Sequence, residues 1–298
     1  MALRCRPTIL VRLSLSLLLI GQCAPAGALD AMSKRDMDAK ARKAMDHDWS
    51  DTGKPPVNYG KDDPMHGSRK CSVKDVKKGG IPQDCTAFIS IFEKFTDEMT
   101  TNLADSLRDH TKLNYINMRG NEMHPAGAQG VLEALATVST LRTIYIRENQ
   151  LEGTASGKAF GEVVRANPSI VAIDLRGNHW GDDGAEAMEG ALAEAMSLRN
   201  LNVAFSQLGV AGAKVFGRVL KANQVLEEVD LRFNAIGEEG AMAIADGANG
   251  HKSLDAVFVQ HGSITPKGWE HMRQVEKRNK GINFQESPKR WRKEREEL

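Results

Sequence analysis

Leu113-x-x-Ile116-x-Met118-x-x-Asn121-x-Met123 is followed by Leu141-x-x-Ile144-x-Ile146-x-x-Asn149-x-Leu151 and by Ile170-x-x-Ile173-x-Leu175-x-x-Asn178-x-Trp180. Then come Leu198-x-x-Leu201-x-Val203-x-x-Ser206-x-Leu208, Leu226-x-x-Val229-x-Leu231-x-x-Asn234-x-Ile236 and Leu254-x-x-Val257-x-Val259-x-x-Gly262-x-Ile264. Their first positions lie 28, 29, 28, 28 and 28 residues apart. Within each segment the apolar residues at positions 4 and 6 are two apart, the spacing of one face of a strand. The second half of each period reads as helix. Gly181-Asp182-Asp183-Gly184-Ala185 opens one, the same Gly-x-x-Gly-Ala start recurs at Gly209 and Gly237, and Ala185, Met188 and Leu192 fall on one helical face.

A strand-plus-helix unit of this pattern and period resembles the leucine-rich repeat, in its ribonuclease-inhibitor-like subtype. The resemblance covers Thr101 to Asn279 and is specific to fold rather than to function. It implies an α/β solenoid with parallel strands on the concave side and helices on the convex side. It also gives the Asn column a task, a ladder of amide bonds from coil to coil. Ser206 and Gly262 interrupt that column, which predicts a weaker turn in the sixth repeat.

The expected organisation is a signal peptide over 1–28, a disordered segment over 29–70, a cap over 71–112, about six repeats over 113–279, and a charged tail over 280–298. Arg4, Arg6 and Arg12 lead an apolar run from Leu13 to Ile20, and Ala26-Gly27-Ala28 fits a cleavage site. The run is too short for a bilayer span, which needs about 20 apolar residues, so no membrane insertion of the mature chain is expected. Residues 29–70, rich in charge, Gly and Pro, offer little apolar surface to offset ordering entropy, although a short helix over 34–49 is compatible with them. Phe88-Ile89-Ser90-Ile91-Phe92 supplies apolar surface for the cap; the alternative makes 88–118 a separate strand-helix-strand unit.

The tail ends Arg295-Glu296-Glu297-Leu298, a degenerate match that resembles the Lys-Asp-Glu-Leu class of retrieval signals. Beside an N-terminal signal it points to the endoplasmic reticulum lumen, with secretion as the alternative. Cys5 and Cys23 leave with the signal, so Cys71 and Cys85 remain as one candidate disulfide. Closing that loop is worth about 3 kcal/mol in the chain-entropy model. Two unbridged thiols in a linker are the other reading.

The formal charge is +1, and loss of the three arginines in residues 1–28 leaves the mature chain slightly acidic. Such a balance gives no general attraction to nucleic acid or anionic membrane. Phosphate-loop, His-Glu-x-x-His and Gly-x-Ser-x-Gly motifs are absent, no cofactor is expected, and the chain is read as a non-enzyme. The histidines, among them His124, His179 and His251, fall in predicted turns and are expected to be solvated.

One constellation remains. Positions 5 and 7 should face the concave side, outside the core. Position 7 reads Arg119, Arg147, Arg176, Ala204, Arg232 and Gln260; position 5 reads Asn117, Tyr145, Asp174, Asn202, Asp230 and Phe258. With strands about 4.8 Å apart the arginines form a ladder, which Asp174 could neutralise for two of them and Glu148 for one. Such a ladder is either self-neutralised or a basic strip flanked by Tyr145, Phe205, Phe233 and Phe258 that binds an unidentified protein. Arg and aromatic residues are favoured in protein hot spots. A regulator of a small GTPase, resembling the Ran GTPase-activating proteins, and a lumenal folding factor are the rival readings.

Overall fold

The computed structural model describes residues 69–285, apart from residues 109, 260, 261 and 280. The expected signal peptide, nearly all of the expected disordered segment, Gln260, His261 and the tail with Arg295–Leu298 lie outside the described residues.

Among the described residues, nine strands form one all-parallel sheet in strict sequence order. They are β1 (Lys70–Ser72), β2 (Ala87–Ile89), β3 (Tyr115–Asn117), β4 (Thr143–Tyr145), β5 (Ala172–Asp174), β6 (Asn200–Asn202), β7 (Glu228–Asp230), β8 (Ala256–Phe258) and β9 (Asn283–Gln285). Between them run α1 (Val73–Val76), α2 (Asp97–Leu107), α3 (Pro125–Leu135), α4 (Gly153–Ala166), α5 (Gly181–Glu194), α6 (Val210–Ala222), α7 (Gly237–Ala248) and α8 (Pro266–Arg278). Consecutive helices from α2 to α8 touch their neighbours, so each coil leans on the one before it. This is a leucine-rich-repeat solenoid.

The sequence period becomes strand register. Ile116 pairs with Ile144, Ile144 with Ile173, Ile173 with Leu201, Leu201 with Val229 and Val229 with Val257. Positions 4 and 6 of all six repeats are 0–1 % exposed and join one continuous core with the inner helix faces. That uniform burial is why the pattern was readable: a period-2 pair under a helix has one face to hide.

The same register reaches further toward the N terminus. Phe88 pairs with Ile116, and Cys71 with Phe88. Cys71 of β1 is disulfide-bonded to Cys85, just before β2, with Cα atoms 6.0 Å apart. A capping box starts α1, where the Ser72 hydroxyl accepts from Lys74 N–H and the Asp75 carboxylate accepts from Ser72 N–H at 2.8 Å. Of the apolar run 88–92, Phe88 is core, whereas Ile91 and Phe92 are exposed because the chain turns there, Phe92 taking φ 56°.

The Asn column acts as the resemblance implied. Asn121 Nδ2 donates to Ser90 O at 2.9 Å, Asn149 to Met118 O at 2.8 Å, Asn178 to Ile146 O at 2.9 Å and Asn234 to Val203 O at 3.0 Å. Each bond crosses to the preceding coil. The Ser206 side chain is too short for that, and its hydroxyl donates to Ala204 O, within its own coil. Asn234 Oδ1 accepts from Ser206 N–H and Leu208 N–H, as Asn178 Oδ1 does from Leu151 N–H.

The candidate functional site on the concave face

The sheet has a second face, opposite the helices. Positions 3, 5 and 7 point to it, as strand alternation requires. A small apolar cluster lies there, made of Ala87, Tyr115, Tyr145 and Ala172, with Tyr115 and Tyr145 edge to face at 5.7 Å.

Position 5 has a backbone task that the sequence reading missed. Asn117, Asp174, Asn202 and Asp230 each accept, through Oδ1, the N–H of the residue two further on, at 3.0–3.3 Å. A short polar side chain thereby satisfies a strand-end donor and turns the chain, as Asn and Asp do in Asx turns. Asp174 and Asp230 are therefore bound to their own chain.

The arginine ladder is assembled in the predicted order but is not open. Arg119 is 8 %, Arg147 3 %, Arg176 4 % and Arg232 8 % exposed, with Asp174 at 2 % and Asp230 at 0 %. They stand on the face away from the main core, as expected, but buried rather than displayed. Long cationic side chains on adjacent strands shield one another, and each is held by an acid. Glu148 serves more of the ladder than the single arginine expected of it. Glu148 bridges two guanidinium groups, Arg119 at 3.1 Å and Arg176 at 3.5 Å, and Arg147 lies 3.5 Å from Asp174. Glu148 holds φ 58° at position 8, and that left-handed turn carries its carboxylate back over two coils. Arg232 chelates Asp230, its Nε 2.9 and 3.0 Å from the two oxygens, and its guanidinium lies 5.6 Å from the Phe258 ring centre.

Position 8, at the strand exit, is left-handed in coil after coil. Gly120 and Gly177 occupy it in two, where glycine meets no steric cost. Phe92, Phe205 and Phe233 occupy it in others, at φ 56°, 52° and 57°. The Phe92 ring lies over the space a Gly120 side chain would fill and stacks on Arg119 at 4.8 Å. Phe205 and Phe233 stack face to face, 4.0 Å between ring centres, and Phe233 is 37 % exposed. The aromatic residues expected at the edge of the strip are thus divided: Tyr145 and Phe258 are buried, while Phe205 and Phe233 form a rim.

Glu228, at position 3 of β7, has its carboxyl pushed above the usual range, first by burial and then by Asp255, Glu227 and Asp230, against a hydrogen bond from Asn200. The histidines separate as well. His124 is exposed, but His251 is buried, so its expected solvation is corrected. Its Nδ1 accepts from Ser253 N–H and Leu254 N–H at 3.2 and 3.0 Å, and its Nε2 donates to Asn223 O at 2.6 Å. Burial holds its pKa below the ordinary value. Among the described residues, no group of three or more His, Cys, Asp or Glu is placed to hold a metal ion, and no helix is long and apolar enough to cross a membrane.

Comparison with known proteins agrees with this geometry. The Leucine Rich repeat family matches residues 166–188 and 222–245. Over 174 residues the chain is 29 % identical to the ribonuclease inhibitor of Sus scrofa, a match covering 57 % of this chain and 38 % of that protein. Over 178 residues it is 26 % identical to NACHT, LRR and PYD domains-containing protein 12 of Mus musculus, covering 58 % of this chain and 17 % of that one. The matches therefore span well under half of these relatives. Among solved structures, actin-binding site 2 of leiomodin-1 aligns with 68 % of this chain and 99 % of its own at TM-score 0.42 and 14 % identity. With a 28-residue strand-and-helix coil in the sheet and these relatives in sequence, the chain is a leucine-rich-repeat protein of the ribonuclease-inhibitor-like kind.

Proposed function

We propose that the chain is a non-catalytic protein-binding module whose partner docks on the concave side, and that it works in the secretory pathway, in the lumen of the endoplasmic reticulum. The observation that carries the binding role is the rim of Phe205 and Phe233. Both hold a left-handed backbone that costs a side-chain-bearing residue about 1–2 kcal/mol, and Gly120 and Gly177 do the same work elsewhere. Strain kept where glycine would remove it points to use. Stacked, partly exposed aromatic rings beside Arg232 and Phe258 have the composition of a protein hot spot. The porcine relative is by name an inhibitor of a ribonuclease, which is consistent with a protein that holds another protein.

Affinity capture from microsomes tests this. Phe205→Gly with Phe233→Gly should change stability by no more than about 1 kcal/mol, because strain relief offsets the lost stacking. Proteins captured by the parent should be lost. Undiminished capture by the folded variant sinks the assignment. The lumenal address is supported by the leader over 1–28, the Arg295–Leu298 tail and the Cys71–Cys85 disulfide, a bond suited to an oxidising compartment. Deleting Leu298 should send the protein into the medium; unchanged retention refutes the retrieval role.

A further inference from the structure

The turn between α7 and β8 carries the chain's single Asn-Gly pair, Asn249-Gly250. Asn249 is the C-cap of α7, and Gly250 takes φ 79°, the left-handed angle that stops a helix. Both residues are exposed. The pair is also chemically labile. Gly250 has no Cβ to shield its nitrogen, and closure of that nitrogen onto the Asn249 side-chain amide forms an unstrained five-membered imide.

The last coil holds both reacting groups. Asn279, the C-cap of α8, accepts from Gly250 N–H through Oδ1 at 2.8 Å and donates through Nδ2 to Asn249 Oδ1 at 2.8 Å. The same Nδ2 donates to Val275 O at 2.8 Å, which fixes the amide to its own helix. The nucleophile's N–H and the electrophile's oxygen are thus tied to one side chain 30 residues further on. The main chain is set against reaction as well. Asn249 has ψ 116°, whereas imide closure in an L residue needs negative ψ, where the next nitrogen eclipses Cβ. We infer that Asn249 is a deamidation site which the docked last coil keeps closed, and that undocking of α8 releases it.

The reaction consumes only water. Once the Asn279 clamp opens and ψ rotates, the Gly250 nitrogen gives its proton to solvent base and bonds to Asn249 Cγ. The Cγ–Nδ2 bond breaks, and the amide nitrogen leaves with a proton from solvent as ammonia. Water then opens the imide at either carbonyl, leaving an aspartate or an isoaspartate where Asn249 stood. The isoaspartate carries the main chain through the former side chain, a methylene longer, two residues before His251. His251 holds Ser253 N–H and Leu254 N–H at the entry to β8, so the change falls on the turn that seats the next strand. Loss of ammonia is irreversible, so the site records how long the last coil has stood open, in a way that brief local opening alone does not.

Incubation of the intact chain in mildly alkaline buffer, with tryptic mapping of residues 233–252, reads the mass gain at Asn249 and separates the two products. The folded parent should convert at least about tenfold more slowly than the same chain in urea, because reaction passes through the open form. Asn279→Ala should convert about tenfold faster than the folded parent. Met272→Ala, which empties a fully buried position of α8 and leaves the clamp's own atoms in place, should also convert faster, with hydrogen exchange at Gly250 N–H rising in step. A folded parent that converts as fast as the chain in urea would overturn the inference, since docking would then give no protection. Conversion of Asn279→Ala at the parent's rate would overturn it too, as would Met272→Ala exchanging faster at Gly250 N–H without converting faster.

Discussion

Replacing His251 tests whether one small device closes the turn between helix and strand. His251, three residues before Leu254, accepts two backbone N–H groups through Nδ1 and donates through Nε2 to Asn223 O. Asn223, three residues before Leu226, does the same with an amide. Its Oδ1 accepts from Val225 N–H at 3.0 Å and Leu226 N–H at 3.2 Å, and its Nδ2 donates to Leu192 O at 2.9 Å. His251→Ala orphans the buried Leu254 N–H and Asn223 carbonyl. At about 1–3 kcal/mol for each unsatisfied buried group, the loss should be near 3 kcal/mol. Over a domain of this size that is about 6–12 °C in melting temperature. His251→Asn supplies both the acceptor and the donor and should cost under about 1 kcal/mol.

The imidazole adds a pH dependence that the amide lacks. Because its pKa is depressed in the fold, the unfolded chain takes up a proton first as pH falls. The stability from neutral His251 is complete above its ordinary pKa of about 6.5 and declines as pH drops toward the folded value, with a slope of at most about 1.4 kcal/mol per pH unit. Urea unfolding from pH 7.5 to 5 should show that decline in the parent and a flatter profile in His251→Asn, and hydrogen exchange at Leu254 N–H should report the same opening locally. If Asn costs as much as Ala, the two coils do not share a device; if the slope persists in His251→Asn, the proton is taken up elsewhere.

Glu228→Gln keeps the bond to Asn200 and removes a carboxylate whose pKa is raised, so it should stabilise the fold at neutral pH, with the gain shrinking as pH falls through the raised folded value and gone below the ordinary carboxylate range in matched melts. Leu175→Ala empties a fully buried position 6 and should lose about 2–5 kcal/mol in denaturant titration. Two glycine-to-alanine changes should move in opposite directions by calorimetry. Gly130 in α3 has open space where a Cβ would go, so alanine should add up to about 1 kcal/mol of helix propensity. A Cβ on Gly247 in α7 would strike the Gly217 carbonyl of α6, so alanine there should destabilise despite better propensity.

Positions 4 and 6 were legible because burial under the helices makes every coil repeat the same choice, and a period in apolar residues is visible in one chain. The helix starts at Gly181 and Gly237 were legible for a similar reason, since both glycines take positive φ where the chain enters the helix. The histidine device was open to the same alignment and went unread. His110, Asn167, Asn223 and His251 all stand three residues before a first position, but two residue types interrupted by Val138 and Ala195 do not look like a column. The first coil was hidden likewise, with Cys85 where later coils have Leu and Glu93 where they have Asn.

The concave columns were found in the right order and given too simple a role, for a physical reason. The reading treated each outward position as a display site, but a side chain on a parallel sheet has neighbours about 4.8 Å away on two sides, and those neighbours are some 28 residues off in sequence. Which acid serves which arginine then depends on a backbone angle. Glu148 reaches Arg119 and Arg176 because position 8 is left-handed, and no composition rule announces that. The same angle divides the face by exposure. Where position 8 is Gly120, the space is taken by the Phe92 ring, and at Gly177 by the side chain of Glu148, so both coils are filled from within. Where it is Phe205 and Phe233, the side chains project as a stacked rim. Positions 5 and 7 thus build a buried floor in which each arginine meets an acid, and the more exposed aromatic side chains stand one position beyond the arginines.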